Sequence, residues 1–359
     1  MKPAAAKPPS FVVHNSNSEI GGAEASLLAA VAVNLATVAD ARPLFLVPAE
    51  GGLSRALTAR GWEFRVLPWP RGLAALTQRR LWSLPLALPG LLPYLWRLRG
   101  VFRDADSIWS SGVKSHFACL LLSPWLRGRL LFDVRDFFRN RLIRRSLAFA
   151  SARFGCRIAA NSRAVAADYP GAEVRYPQVT LRRPAVDRRV PSGRRVIAHL
   201  AYFAPYKGQH LFLDCARALL DAGVDAEFLI IGDVIYPAES YARYREELFA
   251  QVGRLRLNEH VRFLGKLDGP EAVQEILERT DLLLHCTTEP EPFGRAVMEA
   301  LLCGCAAVCH GGSGVCEVTE AERGFPGWMG PLGKVLGEEY VRVRLSDDIV
   351  GRRASGVGR

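Results

Sequence analysis

Two acidic side chains on one short segment have the types and spacing best suited to chemistry. Glu291 and Glu299 lie eight residues apart, in a segment that follows an apolar run and opens a helical pattern. If the helix begins near Phe293, Glu299 lies about 12 Å beyond Glu291, at 1.5 Å per residue. Such a pair can hold the two ends of one polar molecule. The alternative is a helix-start acid followed by a solvated helix residue.

The start of the predicted helix adds an anion site between these carboxylates. The first backbone N–H groups of a helix have no partner within it, and the helix dipole favours an anion there. In this chain the groups belong to Phe293, Gly294, Arg295 and Ala296. Two acids on either side of a phosphate cradle suit a molecule with hydroxyls at both ends and a diphosphate in the middle. A nucleotide sugar has this layout.

Three further segments place cationic or small residues after predicted strands. Lys207 stands before a helix start and would bring an ammonium group to a phosphate. The pairs Gly21–Gly22 and Gly311–Gly312 each follow a strand and would let the backbone approach a ligand closely. Each glycine pair is a weak signal by itself. Together with the two glutamates, these segments favour a phosphate-containing ligand.

The elements that must position these residues follow from hydrophobic patterning. Short, almost uniformly apolar runs alternate with helical patterns along both halves of the 359-residue chain. This predicts an α/β protein with two doubly wound, Rossmann-like domains facing across a cleft, whose ligands bind at the carboxyl ends of the strands. The predicted divisions are a disordered N-terminus at 1–10, a first domain at 11–187, a second at 188–322, and an atypical, partly disordered tail at 323–359.

From residue 11 to about residue 320 the chain resembles a group-one, retaining glycosyltransferase of the GT-B fold. The most specific element of the resemblance is the Glu-x7-Glu run from Glu291 to Glu299. The resemblance implies that the first domain binds the acceptor and the second binds the nucleotide-sugar donor. Glu291 would accept hydrogen bonds from the sugar hydroxyls, Glu299 would bind the ribose, and Lys207 would neutralise the departing diphosphate. The other implied contacts are Phe293, Gly294, Arg295, Gly311 and Gly312 on the donor side, and Gly21 and Gly22 on the acceptor and phosphate side.

The resemblance also implies a reaction course. The acceptor would attack from the face that the phosphate leaves, so no nucleophilic carboxylate, metal or cofactor is needed, and the nucleotide sugar is a substrate. The acceptor would be a glycan or a lipid-linked molecule of cell-envelope polysaccharide biosynthesis. Many relatives carry a histidine at the end of the fourth strand, where this chain has none. His14 and His116 therefore stay as candidates for the acceptor side, with ordinary core or helix histidines as the alternative.

Charge is divided unevenly and indicates an anionic partner. Residues 1–190 carry 28 Lys and Arg against 12 Asp and Glu, whereas residues 191–359 carry 19 against 24. The basic, aromatic segment Arg71–Arg103 would lie on an anionic membrane surface, or would pack on the sheet as an amphipathic helix with a solvated arginine face. The competing function is a non-catalytic GT-B-like protein that binds an anionic polymer through its basic half. Nucleic acid is not an expected partner.

Composition and motifs exclude several other classes of protein. With 49% hydrophobic and 23% charged residues, the chain is not a disordered protein, and no apolar run reaches the roughly 20 residues that span a bilayer. We therefore expect a cytoplasmic protein, peripheral on the inner face of the membrane. No G-x-G-x-x-G follows a strand, which disfavours a dehydrogenase. The cysteines between Cys303 and Cys316 do not match zinc-site spacing, so a packing role is expected.

Overall fold

The computed structural model describes residues 11–38, 41–70, 73, 84–181, 193–235, 239–325 and 327–345, without the side chains of residues 84–89. The chain divides into two compact units, Met1–Gln178 and Val179–Arg359. Three predictions lie outside the described residues: the N-terminal segment 1–10, the domain boundary between 187 and 188, and the tip of the tail beyond residue 345. The basic segment Arg71–Arg103 is described only from residue 84 and at residue 73.

The first unit is built on seven parallel strands in the order β3-β2-β1-β4-β5-β6-β7. Its strands are β1 (Phe11–Asn15), β2 (Pro43–Val47), β3 (Glu63–Val66), β4 (Ser107–Ser111), β5 (Leu130–Val134), β6 (Arg157–Ala160) and β7 (Glu173–Val174). Its α-helices are α1 (Gly22–Thr37), α2 (Gly52–Ala59), α3 (Leu84–Phe102), α4 (Val113–Leu126), α5 (Arg141–Phe154) and α6 (Arg163–Ala166).

Apolar side chains cover both faces of this sheet. Along β1, Val12 packs with one core cluster, and Phe11 and Val13 pack with the other. Because successive residues of a strand point to opposite faces, a strand buried on both sides is apolar at most of its positions. This requirement explains the apolar runs in the sequence. The two core clusters, one on each face of the sheet, confirm the predicted doubly wound architecture for this unit.

The second unit has the sheet order β10-β9-β8-β11-β12-β14-β13. Its strands are β8 (Arg195–Leu200), β9 (Ala226–Ile231), β10 (Val261–Gly265), β11 (Leu282–His285), β12 (Ala306–His310), β13 (Glu320–Arg323) and β14 (Tyr340–Arg344). Its α-helices are α7 (Gln209–Asp221), α8 (Glu239–Arg254), α9 (Pro270–Arg279), α10 (Arg295–Leu302) and α11 (Leu332–Leu336).

The last two strands differ from the rest of the second sheet, and β14 belongs to the segment predicted to be an atypical tail, 323–359. β14 pairs antiparallel with both β12 and β13, so residues beyond 322 complete the sheet. The Tyr340 hydroxyl also donates a hydrogen bond to the carbonyl of Thr287, at 2.5 Å. The physical reason is burial. Tyr340, Val341 and Val343 are each less than a tenth exposed, and this sheet is where the residues can bury their apolar surface.

The two central strands of the second sheet bring its loops together. β8 and β11 are parallel neighbours, with Leu282 opposite Ile197 and Leu283 opposite Ala198. Their carboxyl ends therefore lie side by side, and the loops that follow them form one edge of the sheet. In the part of the chain that the structure describes, no helix has the length and apolar character needed to cross a membrane.

Candidate active site

An ion pair joins the loops that follow β8 and β11. Lys207 ends a short 3-10 turn, Pro205–Lys207, after β8. Its Nζ atom pairs with Oε1 of Glu291 from the loop after β11. The two side chains are only 14% and 13% exposed. The structure thus brings together the predicted ammonium group and one of the predicted carboxylates, although 84 residues separate them along the chain.

A histidine contacts the second oxygen of the same carboxylate. His285 ends β11, is 2% exposed, and places Nε2 3.2 Å from Oε2 of Glu291. Burial by itself would raise the pKa of Glu291, but the charge of Lys207 and the contact with His285 outweigh burial and hold that pKa well below the ordinary value. Glu291 is therefore ionised at neutral pH and available to accept hydrogen bonds.

The Lys207 turn is locked against the neighbouring loop. Gly208 has φ +74°, and a Cβ atom at this position would lie 1.6 Å from the carbonyl oxygen of Cys286. The backbone N–H of Thr288 also donates to the carbonyl of Tyr206, at 3.0 Å. A side chain at residue 208 would force these loops apart. The Lys-Gly sequence thus combines a cation with the residue type that permits its close approach to β11.

Two tyrosines flank the ammonium group. The Nζ atom of Lys207 lies 5.3 Å from the ring centroids of both Tyr202 and Tyr206. Aromatic faces attract cations electrostatically, so these rings help to hold the ammonium group in a mostly buried site. Sequence reasoning missed both tyrosines. Their spacing of four residues around a glycine-terminated turn was the available signal.

The glycine loop after β12 holds the backbone of Glu291. The N–H of Glu291 donates to the Ser313 hydroxyl at 3.1 Å, and the N–H of Gly314 donates to the carbonyl of Glu291 at 3.0 Å. A Cβ atom on Gly312 would lie 3.0 Å from Cγ of Pro290. A Cβ atom on Gly311 would lie 3.2 Å from Cγ1 of Val341. In this structure the two glycines therefore allow protein segments to approach each other.

The helix predicted at Phe293 begins two residues later, at Arg295. Gly294 precedes it with φ +97°, a left-handed conformation that favours glycine. The Phe293 side chain is 4% exposed and anchors the loop in the core. On the helix, Nε of Arg295 lies 2.7 Å from Oε1 of Glu299. Each of the two glutamates of the Glu-x7-Glu run thus has a cationic partner within the unit.

The two candidate histidines of the first unit are core residues. His14 is 1% exposed and shares hydrogen bonds with the Tyr94 hydroxyl and the Ser115 hydroxyl, each at 2.9 Å. His116 is 1% exposed, and its Nδ1 atom lies 2.7 Å from the Ser110 hydroxyl. Burial lowers the pKa of each to about 3, so both are neutral at physiological pH. This burial matches the alternative of ordinary core histidines, and a role on the acceptor side stays a prediction.

The glycine pair of the first unit caps a helix. Gly21 is the N-cap of α1, and its backbone N–H donates to Oε2 of Glu24 at 3.0 Å. Glu24 is 4% exposed, and its other carboxylate oxygen accepts from the side-chain amide of Asn17 at 2.7 Å. A Cβ atom on Gly22 would meet nothing within 4 Å. The N–H of Gly21 therefore serves the cap, while Gly22 leaves open space at the start of α1.

The cysteine-rich segment lies beside the glycine loop. Cys303, Cys305 and Cys309 are each at most 2% exposed. The sulfur of Cys309 lies 3.8 Å from that of Cys316, and both are free thiols. Among the described residues, no group of three or more His, Cys, Asp or Glu is arranged to hold a metal ion. Burial of the thiols follows the packing role that the sequence indicated.

Comparison with known proteins assigns the second unit to a family. The model of the group 1 glycosyl transferases matches residues 185–329, which include Lys207, Glu291 and Glu299. Residues 185–329 form a group 1 glycosyltransferase domain. This confirms the family indicated by the Glu-x7-Glu run for that part of the chain.

Curated relatives match this chain over part of their own length. The chain is 26% identical over 159 residues to N-acetyl-alpha-D-glucosaminyl L-malate synthase of Bacillus anthracis. It is 28% identical over 148 residues to 2-deoxystreptamine glucosyltransferase of Streptomyces kanamyceticus. These matches cover 44% and 40% of this chain, and 38% and 36% of the relatives.

Solved structures share the fold of this chain over most of its length. Anabaena HepE, crystallised with UDP and glucose, superposes with a TM-score of 0.69 at 22% sequence identity. The superposition covers 91% of this chain and 89% of HepE. Sucrose-phosphate synthase of Thermosynechococcus elongatus superposes with a TM-score of 0.63 at 14% identity, covering 83% and 80% of the two chains. The predicted GT-B class, with two α/β units, is thereby confirmed.

Proposed function

We propose that the chain is a retaining glycosyltransferase that moves a sugar from a nucleotide-sugar donor to a glycan or lipid-linked acceptor in cell-envelope polysaccharide biosynthesis. One observation carries the proposal. A mostly buried lysine and an ionised glutamate meet at the carboxyl ends of two adjacent parallel strands, inside a group 1 glycosyltransferase domain. Support for the donor comes from HepE, whose crystals hold UDP and glucose.

The arrangement matches the charges of glycosyl transfer. Breaking the bond between the anomeric carbon and the phosphate places positive charge on the sugar ring and negative charge on the leaving nucleoside diphosphate. Lys207 stabilises the leaving group, and Glu291 accepts hydrogen bonds from the sugar hydroxyls. Glu291 is held in place before the donor binds, and Lys207 turns to the diphosphate on binding, so little reorganisation is needed when charge develops. Arg295 and Glu299 follow on α10, where Glu299 binds the ribose.

The acceptor's hydroxyl oxygen bonds to the anomeric carbon on the face that the diphosphate leaves. The bond between that carbon and the phosphate oxygen breaks, its electron pair stays with the diphosphate, and the hydroxyl proton passes to the departing phosphate. Atoms and charge balance without a covalent enzyme intermediate. In this proposal Lys207 and the backbone amides around Gly294 stabilise the diphosphate, and no metal or cofactor is assigned.

The acceptor side includes a surface suited to an anionic membrane. On α3, Leu92 and Trp96 are 74% and 78% exposed, and on α4, Leu121 and Trp125 are 39% and 56% exposed. The Arg99 guanidinium lies 5.6 Å from the Trp125 ring centroid and joins the two helices. We name these five residues the Trp96 surface. Exposed tryptophan and leucine with arginine suit the interface of an anionic bilayer, and α3 and α4 contain no Asp or Glu. We therefore propose a cytoplasmic enzyme, peripheral on the inner face of the membrane.

A panel of UDP-, GDP- and ADP-linked sugars in thermal unfolding tests the donor proposal. A ligand that binds only the native state raises the apparent stability, so the correct donor raises Tm and a mismatched nucleotide does not. The K207A and E299A variants should lose this shift. Absence of any shift at millimolar ligand, together with retained binding to an anionic polymer such as heparin, would replace this proposal with the competing one, a non-catalytic polymer-binding protein.

A further inference from the structure

The donor proposed above creates a conflict at Glu291. In the described structure Lys207 and Glu291 neutralise each other. Catalysis requires Lys207 to face the diphosphate and Glu291 to face the sugar. When the lysine turns away, a carboxylate that is 13% exposed loses its strongest counter-charge. Uncompensated charges in such surroundings are strongly disfavoured, so a second partner is needed.

His285 is placed to be that partner. Its Nε2 atom lies 3.2 Å from Oε2 of Glu291, the oxygen that Lys207 does not contact. Among the described residues, neither ring nitrogen of His285 makes a well-aligned hydrogen bond, and the contact with Oε2 of Glu291 is the polar contact that the ring makes. A buried polar side chain normally finds at least one partner, and here that role falls to Glu291.

The histidine is held more rigidly than the lysine. His285 belongs to β11, where its backbone is opposite Cys309 of β12. Its ring stacks on that of His199 at a centroid distance of 6.1 Å and an interplanar angle of 16°. His199 is itself fixed, because its Nδ1 atom lies 2.8 Å from the carbonyl of Leu284. Lys207, by contrast, carries its charge on a flexible four-carbon stem.

His199 does not compete for the same charge. Burial, assisted by the neighbouring His285, lowers the pKa of His199 to about 3, so this ring is neutral under physiological conditions. It contributes a flat surface against which the His285 ring is oriented. The stack therefore orients Nε2 of His285 towards Glu291, and His199 adds no charge beside the carboxylate.

We propose that His285 is a positioning residue that keeps the Glu291 carboxylate oriented while Lys207 turns to the diphosphate of the donor. This inference rests on the proposed function, and it adds a residue to the donor site that neither the Glu-x7-Glu run nor the lysine turn contains. His285 acts through Glu291 and does not touch the diphosphate. Its loss should therefore affect the sugar, and not the nucleotide.

Two amide variants make a matched test. Gln in H285Q can place its side-chain N–H near the position of Nε2, whereas Asn in H285N is too short to reach Glu291. H210Q is the control, because His210 lies in the same unit and shares its hydrogen bond with Tyr244. Two probes are used: the nucleotide sugar that raises Tm most in the panel of UDP-, GDP- and ADP-linked sugars, and the nucleoside diphosphate of that sugar. We expect H285N to lower kcat/KM for transfer at least tenfold and to change diphosphate affinity less than threefold. H285Q should recover most of the loss.

Equal rates for H285N and wild type would overturn the inference, as would a parallel loss of transfer and diphosphate affinity. If H285N does not fold, the Nε2 signal of ¹⁵N-histidine-labelled wild type decides, assigned by its absence from H285Q. We expect that signal to shift when the diphosphate draws Lys207 away from Glu291. An unchanged signal at saturating diphosphate would overturn the inference. Failure of the proposed function is distinguishable, because wild type itself would then show no transfer.

Discussion

The α-carbon of Gly208 lies so close to Cys286 that a Cβ atom on residue 208 would stand 1.6 Å from the Cys286 carbonyl oxygen. This contact sets the distance between the Lys207 turn and the loop that carries Glu291. The geometry of the charged pair therefore depends on a residue that has no side chain.

Substitution of Gly208 by alanine should be severely destabilising. The variant would combine a left-handed backbone with a collision against a buried carbonyl group, and we expect the free energy of unfolding to fall by about 4 kcal/mol or more. Gly223 is the matched control. It has φ +79°, but a Cβ atom there meets nothing within 4 Å, so G223A should cost only about 1 to 2 kcal/mol. Denaturant unfolding measures both. Similar losses would show that the contact with Cys286 has no special effect.

The Lys207–Glu291 pair should be strongly coupled in stability. In a double-mutant cycle with K207M and E291Q, each single change removes the ion pair and leaves the remaining group largely buried. We expect each to lower the free energy of unfolding by about 3 kcal/mol. The double variant should lose less than the sum of the two, by more than about 1 kcal/mol. The control cycle uses R243M and E239Q, because the Arg243 and Glu239 side chains are 67% and 87% exposed. That pair should show coupling below about 0.5 kcal/mol. Equal coupling in both cycles would contradict the burial argument.

Removal of Glu299 should weaken nucleotide binding. Hydrogen bonds from ribose hydroxyls to a carboxylate contribute about 1.5 to 3 kcal/mol, so E299A should lower nucleoside diphosphate affinity roughly 10- to 100-fold by calorimetry. Glu275 offers a matched control, since it forms an exposed pair with Arg279 at the same i,i+4 spacing on α9. E275A should bind as wild type does. Unchanged affinity in E299A would remove Glu299 from the site.

The buried histidines should make folding sensitive to mild acid. The folded-state pKa values of His14, His116 and His199 are lowered to about 3 by burial, from 6.5. Below pH 6.5 the unfolded chain therefore binds protons that the folded chain excludes, and stability falls as pH decreases towards 3. Each histidine contributes about 1.4 kcal/mol per pH unit within this range. Tm measured between pH 7 and pH 5 should decrease, and H116N should decrease less steeply. An identical slope in H116N would contradict the burial effect.

The Trp96 surface should bind anionic vesicles. Replacing both tryptophans, in W96A/W125A, should lower partitioning onto phosphatidylglycerol-containing vesicles at least tenfold, because burial of a large apolar side chain contributes about 1.5 to 3 kcal/mol. Binding should also weaken with added salt. F249A is the control, since Phe249 is 45% exposed on α8 of the second unit. Equal sedimentation of all three proteins with vesicles would exclude this surface.

The central strands of both sheets could be predicted from the sequence. β5 (Leu130–Val134) and β11 (Leu282–His285) have the bounds that their apolar runs indicate. A strand that is buried on both faces is rich in apolar residues, and this requirement leaves a clear local signal. The strands β14 and β13, at one edge of the second sheet, were harder to predict. β13 is mostly exposed and β14 alternates, so neither resembles a buried parallel strand.

Helix α3 shows a different limit. Pro89 and Pro93 lie inside it, although proline normally interrupts a helix. The two prolines are four residues apart, so the N–H missing from Pro93 is the one that would bond to the carbonyl of Pro89. The loss of this hydrogen bond can be tolerated when packing stabilises the helix. Tyr94 and Leu98 of α3 are buried and supply such packing. Packing between distant segments is not visible in local sequence.

Sequence reasoning found the site residues singly and could not pair them. Lys207 and Glu291 were selected because each follows a strand, but their contact depends on β8 and β11 being neighbours in the sheet. His285 is not among the candidate residues that the sequence singles out. Its position at the carboxyl end of β11, six residues before Glu291, was the signal that could have identified it.

The position of β14 affects the order in which this protein can be made. The strand lies between β12 and β13, yet it is the last of the three to leave the ribosome. Until residue 344 has emerged, Ala307–His310 of β12 lacks the strand that pairs with it on the side away from β11. The glycine loop that holds Glu291 then follows a strand at the open edge of an incomplete sheet. The candidate site of the second unit is therefore assembled late in synthesis. A chain stalled before this point would carry the lysine and both glutamates without the edge that organises them.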